Sequence, residues 1–129
     1  MYENMAYRLT SKESFDTVVE NLERECANNQ FRVLHVHDVQ ATLADKGFER
    51  GPMKIVEVCN AGFAHEALKK ETGVALFMPC RYEVHTEGDE TVVTLALPTM
   101  ISQMMPQAGL EQLAANVEAT LKKVMEDSV

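Results

Sequence analysis

Two cysteines, Cys59 and Cys80, are the residues of this sequence best suited to chemistry, because a thiolate is both a nucleophile and a ligand for soft metals. Cys59 ends the apolar stretch "MKIVEVCN", directly before a predicted helix, and the N-terminus of a helix favours a thiolate. Cys80 lies in the stretch "ALFMPCRYEVH". Together with Asn60, Arg81 and Met78, the two thiols are the candidate ligand-binding or reactive residues of the chain.

The stretch that contains Cys80 is predicted to be a strand over Ala75 to His85. Side chains alternate between the two faces of a strand, so Cys80 shares the apolar core face with Tyr82, while Arg81 leaves from the opposite face. The sequence therefore favours a small buried hydrophobe at this position, since free cysteines are among the most buried residues. An activated thiolate is the alternative, and it requires Pro79 to bend the strand and expose the sulfur.

Soft-metal binding is a further alternative for the same group. Cys59 and Cys80 flank one predicted helix, and with Met78 they would provide the sulfur ligands that Cu(I) prefers. No recognised ligand spacing supports the pair, so two unrelated core positions are the favoured interpretation. Cys26 lies on the apolar stripe of another predicted helix and is interpreted as structural.

Histidines and methionines form two weaker patterns. His35 and His37 lie two residues apart on one strand, so they and His85 define an imaginable three-histidine metal site. A solvated or dimer-facing sheet surface is favoured instead, since no carboxylate is placed by spacing to complete the shell. The segment "TMISQMMPQ" has a methionine content that suits Cu(I), but packing or an interface explains it more simply.

Composition limits the classes of function. The chain has 129 residues, an apolar fraction of 46%, a charged fraction of 25% and a net charge of −8. Scattered basic residues on an acidic chain predict that neither nucleic acid nor a membrane is a partner. The start, "MYENMAYRLTSK", does not match a signal peptide, and three cysteines without a Cys-x-x-Cys motif suit a reducing compartment. We therefore expect a cytoplasmic protein.

The pattern along the chain predicts one α+β domain over residues 1–129. Its order is β-α-β-α-β-α-β-β-α, with an irregular segment between Pro98 and the last helix. Helical stripes at i, i+3, i+4 and i+7 mark the first and last helices. Ser11 is predicted to cap the first helix, and Leu68 to point inward from the third. Leu34 and Val36 are predicted to share one face of the second strand, and the third strand, which is mostly apolar, is predicted to be central. We predict a two-layer sandwich, in which about five mainly antiparallel strands carry helices mostly on one face. The uncovered face or a sheet edge would then serve a homodimer.

Four stretches have a familiar order along the chain: Leu43 with Lys46 and Gly47, Lys54 to Asn60, Ala64 with Ala67 and Leu68, and Leu76 to Val84. Together they resemble the domain-of-unknown-function 302 family over nearly the whole chain. One departure is Ala61, near which the family pattern has a proline, and it concerns only the local turn. The resemblance implies a small α+β domain, often found alone, with no assigned reaction.

The sequence therefore favours a non-catalytic binding module. Its expected partner is a small apolar or thiol-containing ligand, or another protein. No phosphate-binding loop, nucleophile elbow or zinc-protease motif is present, so no catalytic residue, metal or cofactor is assigned. The alternative is a cysteine-dependent sulfur or thiol redox protein, or a Cu(I) binder, that uses Cys59 and Cys80.

Overall fold

The computed structural model describes residues 4–129, and this part of the chain contains five strands and five α-helices. The strands are β1 (Ala6–Ser11), β2 (Arg32–Asp38), β3 (Met53–Cys59), β4 (Cys80–Glu87) and β5 (Glu90–Ala96). The helices are α1 (Phe15–Asn28), α2 (Val39–Ala44), α3 (Ala61–Lys70), α4 (Pro98–Met104) and α5 (Glu111–Glu126). Short 3₁₀ helices, Thr72–Phe77 and Pro106–Ala108, precede β4 and follow α4.

The five strands form one sheet in the order β1-β5-β4-β3-β2, and every neighbouring pair is antiparallel. The hairpin between β4 and β5 turns at Gly88, whose φ of 61° suits a residue without a Cβ. The predicted α+β sandwich with an antiparallel sheet is therefore confirmed. β3, predicted to be central from its apolar composition, is an inner strand between β4 and β2.

The core lies between one face of the sheet and helices α1 and α5. Fully buried side chains meet there from both layers, including Leu22 of α1, Leu121 of α5 and Tyr82 of β4. The Tyr82 hydroxyl donates a hydrogen bond of 2.6 Å to the Leu121 carbonyl oxygen, so the one polar atom of this large side chain is satisfied. Both helical stripes predicted from the sequence contribute to this core. No helix of residues 4–129 is both long and apolar enough to cross a membrane.

The opposite face of the sheet, called the open face below, is mostly polar, although Ile55 and Val92 also lie on it. Strand alternation places Arg8, Glu57, Arg81, Glu83 and His85 on it. The predicted division of β4 is thus confirmed, since Tyr82 and Val84 on the other face are buried in the core and Cys80 packs against it. The open face carries both signs of charge within one small area.

The strand predicted from Ala75 begins only at Cys80. Residues 72–77 form a 3₁₀ helix instead, with the Glu71 carboxylate accepting a hydrogen bond from the Gly73 N–H. Pro79 has no N–H for a sheet ladder, so the strand starts after it, and the Met78–Pro79 peptide bond is cis. The first half of the stretch "ALFMPCRYEVH" is therefore a wall beside the sheet and not part of it.

The segment predicted to be irregular contains helix α4. Pro98 ends β5 and stands at the first helical position, where its missing N–H and fixed φ favour a helix start. Glu118 of α5 secures this helix, because its Oε1 atom accepts hydrogen bonds from the Thr99 N–H at 3.1 Å and the Thr99 hydroxyl at 2.6 Å. Met100 and Met104 thus lie in a helix and Met105 directly follows it, and Met104 is exposed.

Three local predictions were wrong. The first helix is capped by Ser14 and not by Ser11, which ends β1. A bulge between Val33 and His35 breaks the alternation of β2, so Val33 packs against the core and Leu34 is exposed. Leu68, predicted to point inward from the third helix, is also exposed.

Candidate functional site

A cavity lies where β3 and β4 end, beneath helices α3, α4 and α5. It has a volume of about 80 Å³. Its lining is almost entirely carbon and sulfur, and the apolar part includes Val58, Phe63, Ala64, Ala67, Phe77, Ile101, Leu113, Ala114 and Val117. This volume is about half that of an apolar void that binds benzene, about 150 Å³. The cavity therefore admits a group of a few carbon atoms, such as the end of an alkyl chain.

The polar side chains at the cavity already form hydrogen bonds within the protein. The Ser102 hydroxyl donates to the Thr99 carbonyl at 2.7 Å. Asn60 accepts from the Phe63 N–H at 3.0 Å, which makes it the N-cap of α3, and its Nδ2 atom donates to the Gln30 carbonyl at 2.9 Å. Within residues 4–129, no buried side-chain nitrogen or oxygen lacks a partner. The cavity therefore offers a ligand almost no directional polar contact.

Cys59 and Cys80 both line this cavity, as their proposed proximity requires. Residue 80 pairs with Val58 across the β3–β4 ladder, so the two cysteines are diagonal neighbours at the strand ends. Cys26 lies in the core, fully buried, which agrees with its structural interpretation. All three cysteines are free thiols.

Burial dominates the acidity of these thiols. It raises the pKa of Cys80 to about 11, helped by the nearby Cys59 and opposed weakly by Arg81. Burial also raises the pKa of Cys59, even though this residue stands before the N-terminus of α3. Loss of hydration disfavours the thiolate more than the helix favours it. Both thiols are therefore protonated at neutral pH.

Met78 and Arg81 lie on different sides of the Cys80 backbone. Met78 lines the cavity with the two cysteines, so three sulfur atoms border one space. Arg81 projects from the open face, half exposed, with Nη2 3.8 Å from the Glu57 Oε2 atom. Of the candidate residues predicted from the sequence, Cys59, Cys80 and Met78 therefore line the cavity, whereas Arg81 lies outside it.

The histidines do not combine into one site. His35 and His37 stack edge to face with ring centroids 4.4 Å apart, and His37 Nε2 lies 3.0 Å from a Glu57 oxygen. His85 instead lies between Glu83, 2.7 Å from Nδ1, and Glu87, 2.8 Å from Nε2. In the described part of the chain, no three His, Cys, Asp or Glu side chains are arranged to hold a metal.

Sequence reasoning missed the carboxylates beside these histidines. Glu83 and Glu87 stand two residues to either side of His85, so the period of a strand places all three on one face. Glu57 reaches His37 from the neighbouring strand, and only the strand register brings these two together. Because both carboxylates bond to the imidazole, they raise the pKa of His85 although partial burial opposes them.

Comparison with known proteins agrees with this architecture. The family model "Domain of unknown function DUF302" matches residues 7–128. The chain belongs to the DUF302 family. The resemblance read from the sequence is therefore confirmed over nearly its full length.

A solved structure in this family has the same fold as this DUF302 protein. It is described as an uncharacterized conserved protein DUF302 from Bacillus stearothermophilus, and it superposes with a TM-score of 0.92 at 29% sequence identity. The match covers 97% of this chain and 98% of that one. No curated protein matches the chain significantly. The DUF302 relationship thus defines the fold and leaves the activity to be argued from the cavity.

Proposed function

We propose that this DUF302 domain is a non-catalytic binding module that holds a small apolar ligand in the cavity beneath α3, α4 and α5. One observation carries the proposal, namely an apolar cavity of about 80 Å³ whose few polar neighbours are already hydrogen-bonded. Water gains little in such a space because it finds no partners. An apolar group gains contacts with the lining and leaves bulk water.

The acidity of the cysteines supports binding over turnover. A nucleophilic cysteine acts as the thiolate and needs a base, cation or metal that lowers its pKa. Here burial raises the pKa of both Cys59 and Cys80. In addition, none of the histidines or carboxylates among residues 4–129 lines the cavity. A protonated thiol in this setting acts as an apolar contact for a ligand.

The test is a binding measurement with a matched pair of variants on α5. Ala114 lines the cavity, whereas its neighbour Ala115 is exposed. Ala114→Leu fills the space, and Ala115→Leu makes the same change outside it, with little effect of either on helix propensity. 1-Octanol is the probe, because the end of its alkyl chain can enter the cavity while the rest of the molecule extends out of it. We expect it to raise the melting temperature of the wild type and of Ala115→Leu, but not of Ala114→Leu.

The size of that effect follows from linkage. Ligand at one hundred times its dissociation constant stabilises the folded state by about 2.7 kcal/mol. If neither the wild type nor Ala115→Leu responds to 1-octanol, or if Ala114→Leu responds equally, then the cavity is not the binding site and the proposal fails.

A second candidate function is binding of a soft metal ion. Cys59, Cys80 and Met78 border one cavity, and a soft ion displaces thiol protons even from thiols of raised pKa. Titration with Cu(I) against a colorimetric chelator tests it. Stoichiometric uptake that is lost in Cys59→Ser and Cys80→Ser, but kept in Cys26→Ala, would support it. Uptake that is no weaker in the two serine variants would exclude these ligands.

We further propose that two copies associate through their open faces. An isologous interface needs a surface that complements itself. The open face meets this need around Arg8, which lies beside Glu83 and Glu87. Light scattering should give twice the chain mass, and Arg8→Glu should shift the protein toward the monomer. A monomeric wild type at micromolar concentration would exclude this dimer.

We place the protein in the cytoplasm on the basis of its thiols. Its three cysteines are free, and free cysteines persist best where the compartment is reducing. Fluorescent tagging of the protein in its host is the direct test, and a signal confined to the cell envelope would contradict the assignment.

A further inference from the structure

A groove adjoins the cavity. The groove has a volume of about 200 Å³, and apolar residues such as Leu76, Leu97 and Met100 line it. Five residues belong to both linings and are called the shared wall: Phe77, Pro79, Cys80, Pro98 and Ile101. The cavity and the groove therefore meet at these five residues. Their combined volume falls near the small end of the range for ligand pockets, roughly 300–1,000 Å³.

Among the described residues that line the cavity or the groove, Arg81 alone is charged. Its guanidinium is incompletely paired. The nearest Glu57 oxygen is 3.8 Å away, beyond hydrogen-bond distance, and the other Glu57 oxygen lies 3.0 Å from His37. The side chain is 50% exposed. Several of its five N–H donors consequently remain free for a ligand.

We propose that the ligand is a small amphipathic anion, with its apolar body in the cavity and groove and its anionic group at Arg81. This inference rests on the proposed function and adds the chemical class of the ligand. A planar guanidinium binds a carboxylate through two parallel hydrogen bonds. The apolar lining fits the other end of such a molecule. A medium-chain carboxylate combines both parts within this volume.

Arg81 is the local source of any preference for an anionic ligand. The protein as a whole carries a net charge of −8, so its general field does not attract anions. A preference for an anionic ligand must therefore arise locally, and Arg81 is the group positioned to produce it. The neighbouring leucine of the 3₁₀ helix, Leu76, is 85% exposed, which leaves an apolar surface for the ligand chain beside the cation.

The test compares three probes with one chain length, namely octanoate, 1-octanol and octylammonium. Their apolar parts match, while their head groups differ in charge. Calorimetric titration is performed on the wild type, on Arg81→Gln and on Arg24→Gln. Arg24 is exposed on α1 and lines neither space, so its variant reproduces the change in net charge. Melting curves confirm that each variant is folded.

We expect the wild type to bind octanoate more tightly than 1-octanol, and octylammonium most weakly. A hydrogen-bonded charge contributes enough that Arg81→Gln should lose octanoate affinity about tenfold, while its affinity for 1-octanol stays the same. Arg24→Gln should match the wild type.

Two outcomes overturn the inference in distinguishable ways. Equal binding of octanoate and 1-octanol, or no effect of Arg81→Gln, refutes the anionic class and leaves the apolar cavity as a binding site. Failure of every probe to bind refutes the cavity as well, and with it the proposed function.

Discussion

The reactivity of Cys80 tests whether its thiol can act chemically. Burial raises its pKa to about 11, so about one molecule in 10⁴ carries the thiolate at pH 7. A free cysteine with a pKa of about 8.5 is about 3% thiolate at that pH. If alkylation follows the thiolate, Cys80 should react with iodoacetamide on the order of 300-fold more slowly than a free cysteine, before any steric hindrance.

The assay is alkylation over a range of pH with peptide mapping. Trypsin separates the three cysteines, because a basic residue lies between each pair of them in the sequence. The Cys80 rate should rise about tenfold per pH unit from pH 7 to beyond pH 9, since the pKa remains above that range. At any pH in this range, Cys59 should react fastest and Cys26 slowest, because burial raises the pKa of Cys26 to about 12.

One result would refute the reasoning. If the Cys80 rate reaches a plateau below pH 9, its thiolate is stabilised by a group stronger than the opposing effect of burial. A cysteine-dependent activity would then replace simple binding as the favoured function. The Cys59→Ser variant separates the contributions, because loss of this neighbour should lower the pKa of Cys80 only slightly if burial is the main cause.

Three further predictions concern stability and protonation. Tyr82→Phe should lower the free energy of unfolding by about 0.5–1.5 kcal/mol in urea titrations, through loss of a buried hydrogen bond, whereas Tyr7→Phe, at an exposed bond, should change it less. The His85 imidazole should titrate above pH 6.5 by NMR. Because its pKa is higher in the folded than in the unfolded protein, protonated His85 stabilises the fold fully at a pH below the unfolded-state pKa, and this stabilisation is lost as the pH rises through the folded-state pKa. His85→Gln should abolish that pH dependence of the free energy of unfolding. Asn60→Ala should cost about 0.5–2 kcal/mol as a lost helix cap, and the loss should exceed that of Ser14→Ala, since Asn60 also bonds to the chain outside its helix.

The longest elements of the fold were predictable from local period. The stripes of α1 and α5 repeat over several turns, so chance matches are rare and their buried faces were correctly identified. The 3₁₀ helix before β4, the short helix α4 and the β2 bulge were missed. Each spans few residues, and neighbouring elements decide its conformation, as Glu118 does for α4.

The candidate site was predictable in part for the same reason. Cys59, Cys80 and Met78 could be grouped from the sequence because they lie at or near the strand ends that flank one predicted helix, and all three do line one cavity. The facing wall comes from α4 and α5, which are distant in sequence, so its shape depends on tertiary packing. The acidity of Cys59 shows the limit of local reasoning, because a helix N-terminus predicts a lowered pKa while burial raises it.

The shared wall has a consequence for how ligand preference changes during evolution. A substitution at Phe77 or Ile101 alters the cavity and the groove together, so it changes the fit of both ends of a bound molecule. Positions on α5 such as Ala114 adjust the cavity alone, and Leu76 adjusts the groove alone. Under the proposed binding mode, substitutions at these outer positions would change the fit of one part of the ligand's apolar body at a time, while Arg81 keeps the anionic group.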